Sequence, residues 1–185
     1  MTFPILESSE DAKSFGLITL RILLGTGRPF VELARNLKVE SVARLKPTRD
    51  HRLPPTSKVM DAIELMRGCN VGCVLICKGD NLLGIFSERD LTRRVLSRRL
   101  SFDTPIDQVM THHPVVVSQM DPISLAIKKM LEGGYRHLPV VDDENRPVGI
   151  LSVKRIVHYL AEHFPTLVLN LPPDPSQYPP CAEGA

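Results

Sequence analysis

A phrase written twice constrains this chain more than any other feature: Gly84-Ile85-Phe86-Ser87-Glu88-Arg89-Asp90 returns as Gly149-Ile150-Leu151-Ser152-Val153-Lys154-Arg155. The match extends upstream. Ala62, Ile63 and Met66 fall on Ala126, Ile127 and Met130, 64 positions later, and Asn81 falls on Asn145. One inserted residue then precedes the second phrase. Val42 and Leu45 fall on Ile106 and Val109. Identities at both ends of a unit about 60 residues long mark a duplication. In each phrase apolar strand residues precede a hydroxyl, and a charged side chain follows three positions on, where a helix begins. A helix start presents unpaired N–H groups and suits a phosphate. Asp90 can accept hydrogen bonds from two sugar hydroxyls; Arg155, its counterpart, cannot. The chain reads as two related clefts, of which one keeps an acidic ribose contact.

Each copy reads as strand, helix, two-strand hairpin and closing helix. In the second, Val115-Val116-Val117 is β-branched and strand-like. Asp121-Pro122 supplies an N-cap and a first-turn proline. Ile123, Ala126, Ile127 and Met130 follow at helical spacing, and Gly133-Gly134 ends that helix. Leu138 to Val141 and Val148 to Leu151 form the hairpin around a turn at Asp142 to Arg146. Ile156, Val157, Leu160 and Ala161 make the stripe of the closing helix. The first copy repeats this with Ser57 as cap, a helix over Val59 to Met66, and Leu91, Val95 and Leu96 on its closing helix. Its first strand, around His51-Arg52-Leu53-Pro54, is poorly written. The fold class is α/β (α+β): two pseudo-twofold repeats, β-α-β-β-α, packed sheet to sheet. One unit of this size buries a marginal core, so two units gain by closing their open sheet faces on each other.

A composition of 43% hydrophobic and 24% charged residues with a net charge of +2 favours neither nucleic acid nor anionic membrane as partner. The longest apolar candidate, Phe15 to Leu24, falls short of the ~20 residues of a membrane span and contains Arg21. Glu7, Glu10 and Asp11 before it argue against a secretory signal, so the expectation is a cytoplasmic protein. Cys69, Cys73 and Cys77 invite a metal reading. On a strand, however, Cys73 and Cys77 would stand about 13 Å apart, too far to share one ion held at about 2.3 Å. They read as small reduced core residues, and no metal is expected. His112-His113 is equally weak as a metal pair. Neither a catalytic set nor a Walker-type lysine loop is present, so an enzyme is not expected.

Asn70 to Ile76, the phrase ending in Asp90, Tyr135-Arg136-His137-Leu138-Pro139-Val140-Val141 and Gly149 to Ser152 together resemble a tandem pair of cystathionine-β-synthase (CBS) domains, a Bateman module. The resemblance spans residues 38 to 164, with repeats at 38–101 and 102–164. It leaves an N-terminal extension (1–37) and a proline-rich tail (165–185) outside. The chain looks most like small stand-alone bacterial signal-transduction CBS proteins.

That resemblance implies regulation by an adenosine-containing ligand, AMP, ADP or ATP, with S-adenosylmethionine or NADH as further possibilities and no obligatory cofactor. It places the ribose hydroxyls on Asp90 and ribose or phosphate on Ser87. Arg136 and His137, from the other repeat, would face the phosphate. Lys154 lies where a phosphate-contacting lysine occurs in the nucleotide-sensing subunit of the AMP-activated kinase. It also implies a homodimer and a separate protein effector. An AMP-like ligand brings close to two negative charges, which Arg136 and Lys154, and His137 if protonated, would offset. With Arg155 in the acceptor's place, the second cleft is expected to be empty or weakly filled.

Other readings stand beside these. Asp90 can cap a helix, and Ser87 and Ser152 can bond local backbone. Arg89, Arg93, Arg94, Arg98 and Arg99 read as a solvated face or as a funnel for the ligand's phosphates. Nucleic acid is less favoured because no aromatics interleave. The module could also be an interaction scaffold with vestigial clefts. Arg28 to Leu37 is compatible with a short amphipathic helix, and the tail is expected to be extended or disordered.

Overall fold

Each copy begins with a lead segment that leaves its own copy and packs on the other, and this exchange shapes the seam between them. The computed structural model describes residues 28–144 and 146–165. Helix α1 (Arg28–Val39) leads into a 3-10 turn (Val42–Leu45). The first copy then supplies β1 (Arg52–Leu53), α2 (Val59–Cys69), β2 (Cys73–Lys78) and β3 (Asn81–Ser87). Its closing helix α3 opens as an α-turn (Glu88–Asp90) and continues in π geometry (Leu91–Leu96). After a second 3-10 turn (Ile106–Gln108) come β4 (Thr111–His112), β5 (Val117–Ser118), α4 (Ile123–Gly133), β6 (His137–Val141), β7 (Pro147–Ser152) and α5 (Val153–His163).

The first sheet runs β1-β2-β3-β4 and the second β5-β6-β7. Strand β4, from the second copy's lead segment, pairs antiparallel with β3 at Ile85↔Thr111. Thr48, from the first copy's lead segment, bridges Ile150 in the second sheet. The helix starts are exchanged in the same way. Val59 N–H donates to Thr104 O at 3.0 Å and Ile123 N–H to Glu40 O at 2.9 Å. Partner carbonyls thus satisfy helix-start N–H groups that have no intrahelical acceptor. Ser57 and Asp121 therefore do not cap their helices, contrary to expectation. The Ser57 carbonyl accepts from Ile106 N–H at 2.8 Å, and the Asp121 carboxylate accepts from Ser118 N–H at 2.9 Å.

Three apolar clusters follow from this. Val42 and Leu45 join Val117, Ile123, Met130, Leu138 and Leu151 in the second copy's core, with Leu33 and Leu37 of α1. The amphipathic helix expected at Arg28 to Leu37 is present and docks there. Ile106, Val109 and Met110 join Val59, Ala62, Val74, Ile76 and Phe86 in the first copy's core. Between the sheets, Cys73, Leu75 and Cys77 pack with Ile150, Leu82 and Ile85. The period of two along β2 sends Val74 and Ile76 to one side and Cys73, Leu75 and Cys77 to the other. Both sides are covered, which is why β2 reads as an unbroken apolar run.

Other local expectations shift. In the second copy's first strand only Val117 and Ser118 pair, and Val115 is exposed. On α5, Val157 is exposed and Tyr159 is buried instead, its hydroxyl donating to the Glu40 carboxylate. A phenol can be buried when its O–H finds such a partner. On α3 Val95 is buried but Leu96 is exposed, because the wider π turn rotates the later residues out of helical register.

The glycine of the repeated phrase has a packing reason. A Cβ at Gly84 would lie 2.9 Å from Thr111 O, and one at Gly149 would lie 3.0 Å from Thr48 O. The exchanged segment passes too close for any side chain. Gly84→Ala and Gly149→Ala are each expected to cost about 1–3 kcal/mol by forcing backbone apart. Urea denaturation measures this, and variants as stable as the parent would contradict the exchange.

Candidate functional site

Ser87 and Asp90 are positioned by the end of β3 and the first turn of α3. Ser87 sits at the N-cap and accepts from Asp90 N–H at 3.4 Å, while Asp90 Oδ2 accepts from Ser87 N–H at 3.0 Å. The Ser-x-x-Asp phrase is therefore a capping box, with Asp90 as its third residue, not as the cap itself. The Ser87 hydroxyl also donates to Asp90 Oδ2 at 2.6 Å. Two further contacts meet the other oxygen. Thr111 Oγ1 donates to Oδ1 at 3.3 Å, and Arg94 Nε lies 3.3 Å from it. Arg94 also donates to the carbonyls of Val109, at 3.2 Å, and Met110. It is thus no part of a solvated arginine face. Neither Arg94 nor Thr111 stands out in the sequence as a partner of Asp90. An i, i+4 Asp–Arg pair on a helix is the signal that could have shown the first.

The second copy closes this cleft from the other side. Arg89 Nη1 donates to Gly134 O at 2.7 Å, so an arm of α3 reaches across the seam. His137 opens β6, and its Cε1 lies 3.2 Å from where a Cβ of Gly72 would stand. Gly72 leaves the room that the imidazole occupies. Burial lowers the Arg89 pKa first, and the charges of Arg136 and Arg93 lower it further against a smaller opposing effect of Asp90. Two guanidinium groups held close enough to repel are poised for an anion. Among the described residues Arg136 makes no ion pair. Lys154, in the first turn of α5, is exposed and follows Val153, whose N–H donates to Arg136 O at 3.0 Å. Asp90 is bonded to Ser87, the charges of Asp90 and Arg136 act on Arg89, and those of Arg136 and Arg89 act on His137, so these five residues lie along the seam. Lys154 is exposed and makes no ion pair among the described residues.

His137 has its pKa lowered, by burial first, with Glu88 raising it and Arg136 and Arg89 lowering it. At neutral pH it therefore offers one neutral N–H donor and no charge. With the folded pKa below the unfolded 6.5, the unfolded chain binds more protons between the two values. Stability is expected to fall as pH drops from about 6.5 through the folded pKa, with no further loss from this group below it. His137→Gln should flatten that part of the melting-temperature profile; an unchanged acid limb would contradict it.

The second cleft is organised differently. Ser152 Oγ accepts from Arg155 N–H at 3.3 Å, as in the first copy. The Arg155 guanidinium donates to Lys46 O at 2.9 Å, tying α5 to the exchanged lead segment. Arg94 makes the corresponding tie in the first copy. A groove of about 560 Å³ runs beside it, with Arg44, Lys46, Arg155, His158 and Tyr159 in its lining.

Cys73 and Cys77 are buried, as core residues should be, but Cys69 ends α2 and is exposed. Burial, with Glu88 and Asp90 nearby, pushes the Cys73 thiol up to about 12, so it is not a thiolate at neutral pH. Among the described residues no three His, Cys, Asp or Glu side chains converge to hold a metal ion. No helix among them is long and apolar enough to cross a membrane. The region Phe15 to Leu24, the turn residue Asn145 and the proline-rich tail beyond Pro165 lie outside the described residues.

The profile described as CBS domain matches residues 39–97 and 106–162. The Arabidopsis thaliana protein named CBS domain-containing protein CBSCBSPB1 is 29% identical over 154 residues, 82% of this chain. The chain spans only 28% of that protein's length. A structure of a protein with CBS domains from Burkholderia ambifaria superposes with a TM-score of 0.59 at 28% identity, covering 71% of this chain and 94% of that one. The structure of CBSX2 in complex with AMP gives 0.56 at 26% identity, covering 66% and 96%.

Proposed function

The chain belongs to the CBS domain family, and from that premise we propose that it is a non-enzymatic regulatory module sensing an adenine nucleotide in the cleft between its two CBS repeats. The ribose would bond Asp90 and reach Ser87. The phosphate would face Arg136, with Arg89 and Lys154 adding charge and His137 donating an N–H. AMP, ADP and ATP fit this charge pattern best, and S-adenosylmethionine or NADH share its adenosine part. The observation that carries the reading is that Arg89, one residue from the sugar-competent carboxylate of Asp90, reaches across the seam to Gly134 O near Arg136, whose charge lowers the Arg89 pKa. A carboxylate and two guanidinium groups near one seam suit a ligand that is a diol at one end and an anion at the other. The AMP complex of CBSX2, a protein of similar fold, supports the ligand class. The same proposal includes a homodimer and a separate protein that receives the signal. Binding shifts a conformational equilibrium only by the ligand's difference in affinity for the two states.

Titration calorimetry with AMP, ATP, NADH and S-adenosylmethionine tests it. One site per chain is expected, and Arg136→Ala should weaken AMP more than adenosine. No heat with any of the four would overturn the reading. One observation favours a second reading, an interaction scaffold with vestigial clefts: Arg155 spends its guanidinium on a backbone carbonyl where the ribose acceptor would stand. A melt unshifted by nucleotides, with a protein partner retained through purification, would support that alternative.

A further inference from the structure

We propose that Arg94 and Thr111 form a clamp on Asp90 that a bound sugar must displace, so that Arg94 sets the ligand affinity of the first cleft and links it to strand β4. This rests on the reading of that cleft as a nucleotide site. An ionised carboxylate offers about four acceptor positions. At Asp90 all are taken. Oδ2 receives the Ser87 hydroxyl at 2.6 Å and the Ser87 N–H at 3.0 Å. Those bonds are local and build the helix start. Oδ1 receives Thr111 Oγ1 and faces Arg94 Nε, both at 3.3 Å. These longer contacts, one from the next turn of the helix and one from β4, are the ones a ribose diol can replace.

The duplication supplies an internal comparison. In the second copy Arg155 stands in Asp90's place and ties α5 directly to Lys46 O. Tyr159 stands in Arg94's place and donates to Glu40. Both copies therefore fasten the closing helix to the exchanged lead segment. In the first copy the fastening guanidinium also neutralises the acid that would hold the sugar. Displacing its Nε leaves the bonds to the Val109 and Met110 carbonyls available, so the clamp can open without releasing Arg94 altogether. Thr111 lies in β4, which the second copy lends to the first sheet. A sugar that takes Oδ1 frees the Thr111 hydroxyl and loosens that strand's hold. By linkage, whatever draws β4 away favours the sugar equally.

Adenosine is the probe, because without a phosphate it does not report the lost positive charge. Arg94→Gln replaces the ion pair by at most a neutral contact and, because its amide ends where Arg94 Nε stands, gives up the bonds to the Val109 and Met110 carbonyls. Thr111→Val removes the hydroxyl from a strand residue of nearly the same shape. By calorimetry, Arg94→Gln is expected to bind adenosine about tenfold tighter and Thr111→Val a few-fold tighter, with Asp90→Asn losing it. A merely structural role for Arg94 would weaken binding in the variant. Unchanged or weaker adenosine binding in both, with Asp90→Asn still defective, overturns the clamp and leaves the nucleotide site standing. Adenosine binding that survives Asp90→Asn overturns the site reading, and the clamp with it. Should Arg94→Gln fail to fold in a melt, the Thr111→Val measurement decides.

Discussion

Truncating Leu75 to alanine is expected to cost about 2–5 kcal/mol, the range for a fully buried leucine whose surroundings collapse only in part. Leu75 is 0% exposed and projects from the centre of β2 into the cluster between the sheets. Its neighbours there include Ile150 of the other copy, on the strand that also receives Thr48. A void at this point loses contacts on both sheets at once. The cost should therefore couple to the second copy. Leu75→Ala combined with Ile150→Val should show an interaction energy of about 0.5 kcal/mol or more, as expected for residues sharing one cavity. Urea denaturation with an unchanged slope provides the numbers. Strict additivity, or a loss below about 1 kcal/mol for Leu75→Ala, would mean that the two sheets do not share a core.

Asp90→Asn should have the largest effect on ligand binding. The substitution keeps the shape and removes the charge. Two charge-assisted hydrogen bonds to ribose hydroxyls are worth about 1.5 kcal/mol or more each, so AMP affinity should fall about 100-fold. Stability should fall too, since the capping box weakens and Arg94 loses its counter-ion. Arg155→Ala is the matched control. It breaks the tie to Lys46 O and lowers stability, yet should leave AMP affinity within about twofold of the parent. Equal losses of affinity in the two variants would indicate a general loosening of the fold and not a contact to the ligand.

The fold was legible because duplication is a long-range signal. Matching Gly84 with Gly149 and Ala62 with Ala126 fixes the unit, its order of elements and the seam. What stayed hidden is the exchange of lead segments. Val42 and Leu45 match Ile106 and Val109 whether each lead packs on its own copy or on the other, so periodicity cannot separate the two. The exchange also shapes the misread helix starts, where backbone carbonyls of Glu40 and Thr104 accept from the first N–H of each helix. At the candidate site, Ser87, Asp90, Arg136 and His137 were proposed from their motifs, and the local Ser87–Asp90 pairing is present. Thr111 was not visible there, because its meeting with Asp90 depends on β4 being lent to the first sheet. Arg94 stands at i, i+4 from Asp90 and was hidden among the other arginines of that helix. Whether His137 carries a charge was open in the sequence; burial, which its place in the sequence does not reveal, disfavours the protonated form.

Crystals of the protein grown with AMP test the central claim most directly. The account predicts one AMP per chain in the first cleft, its ribose hydroxyls on Asp90 Oδ1 and its phosphate facing Arg136 and Arg89, with nothing bound beside Arg155. A vacant first cleft, or AMP seated against Arg155 and Lys46 instead, would contradict it.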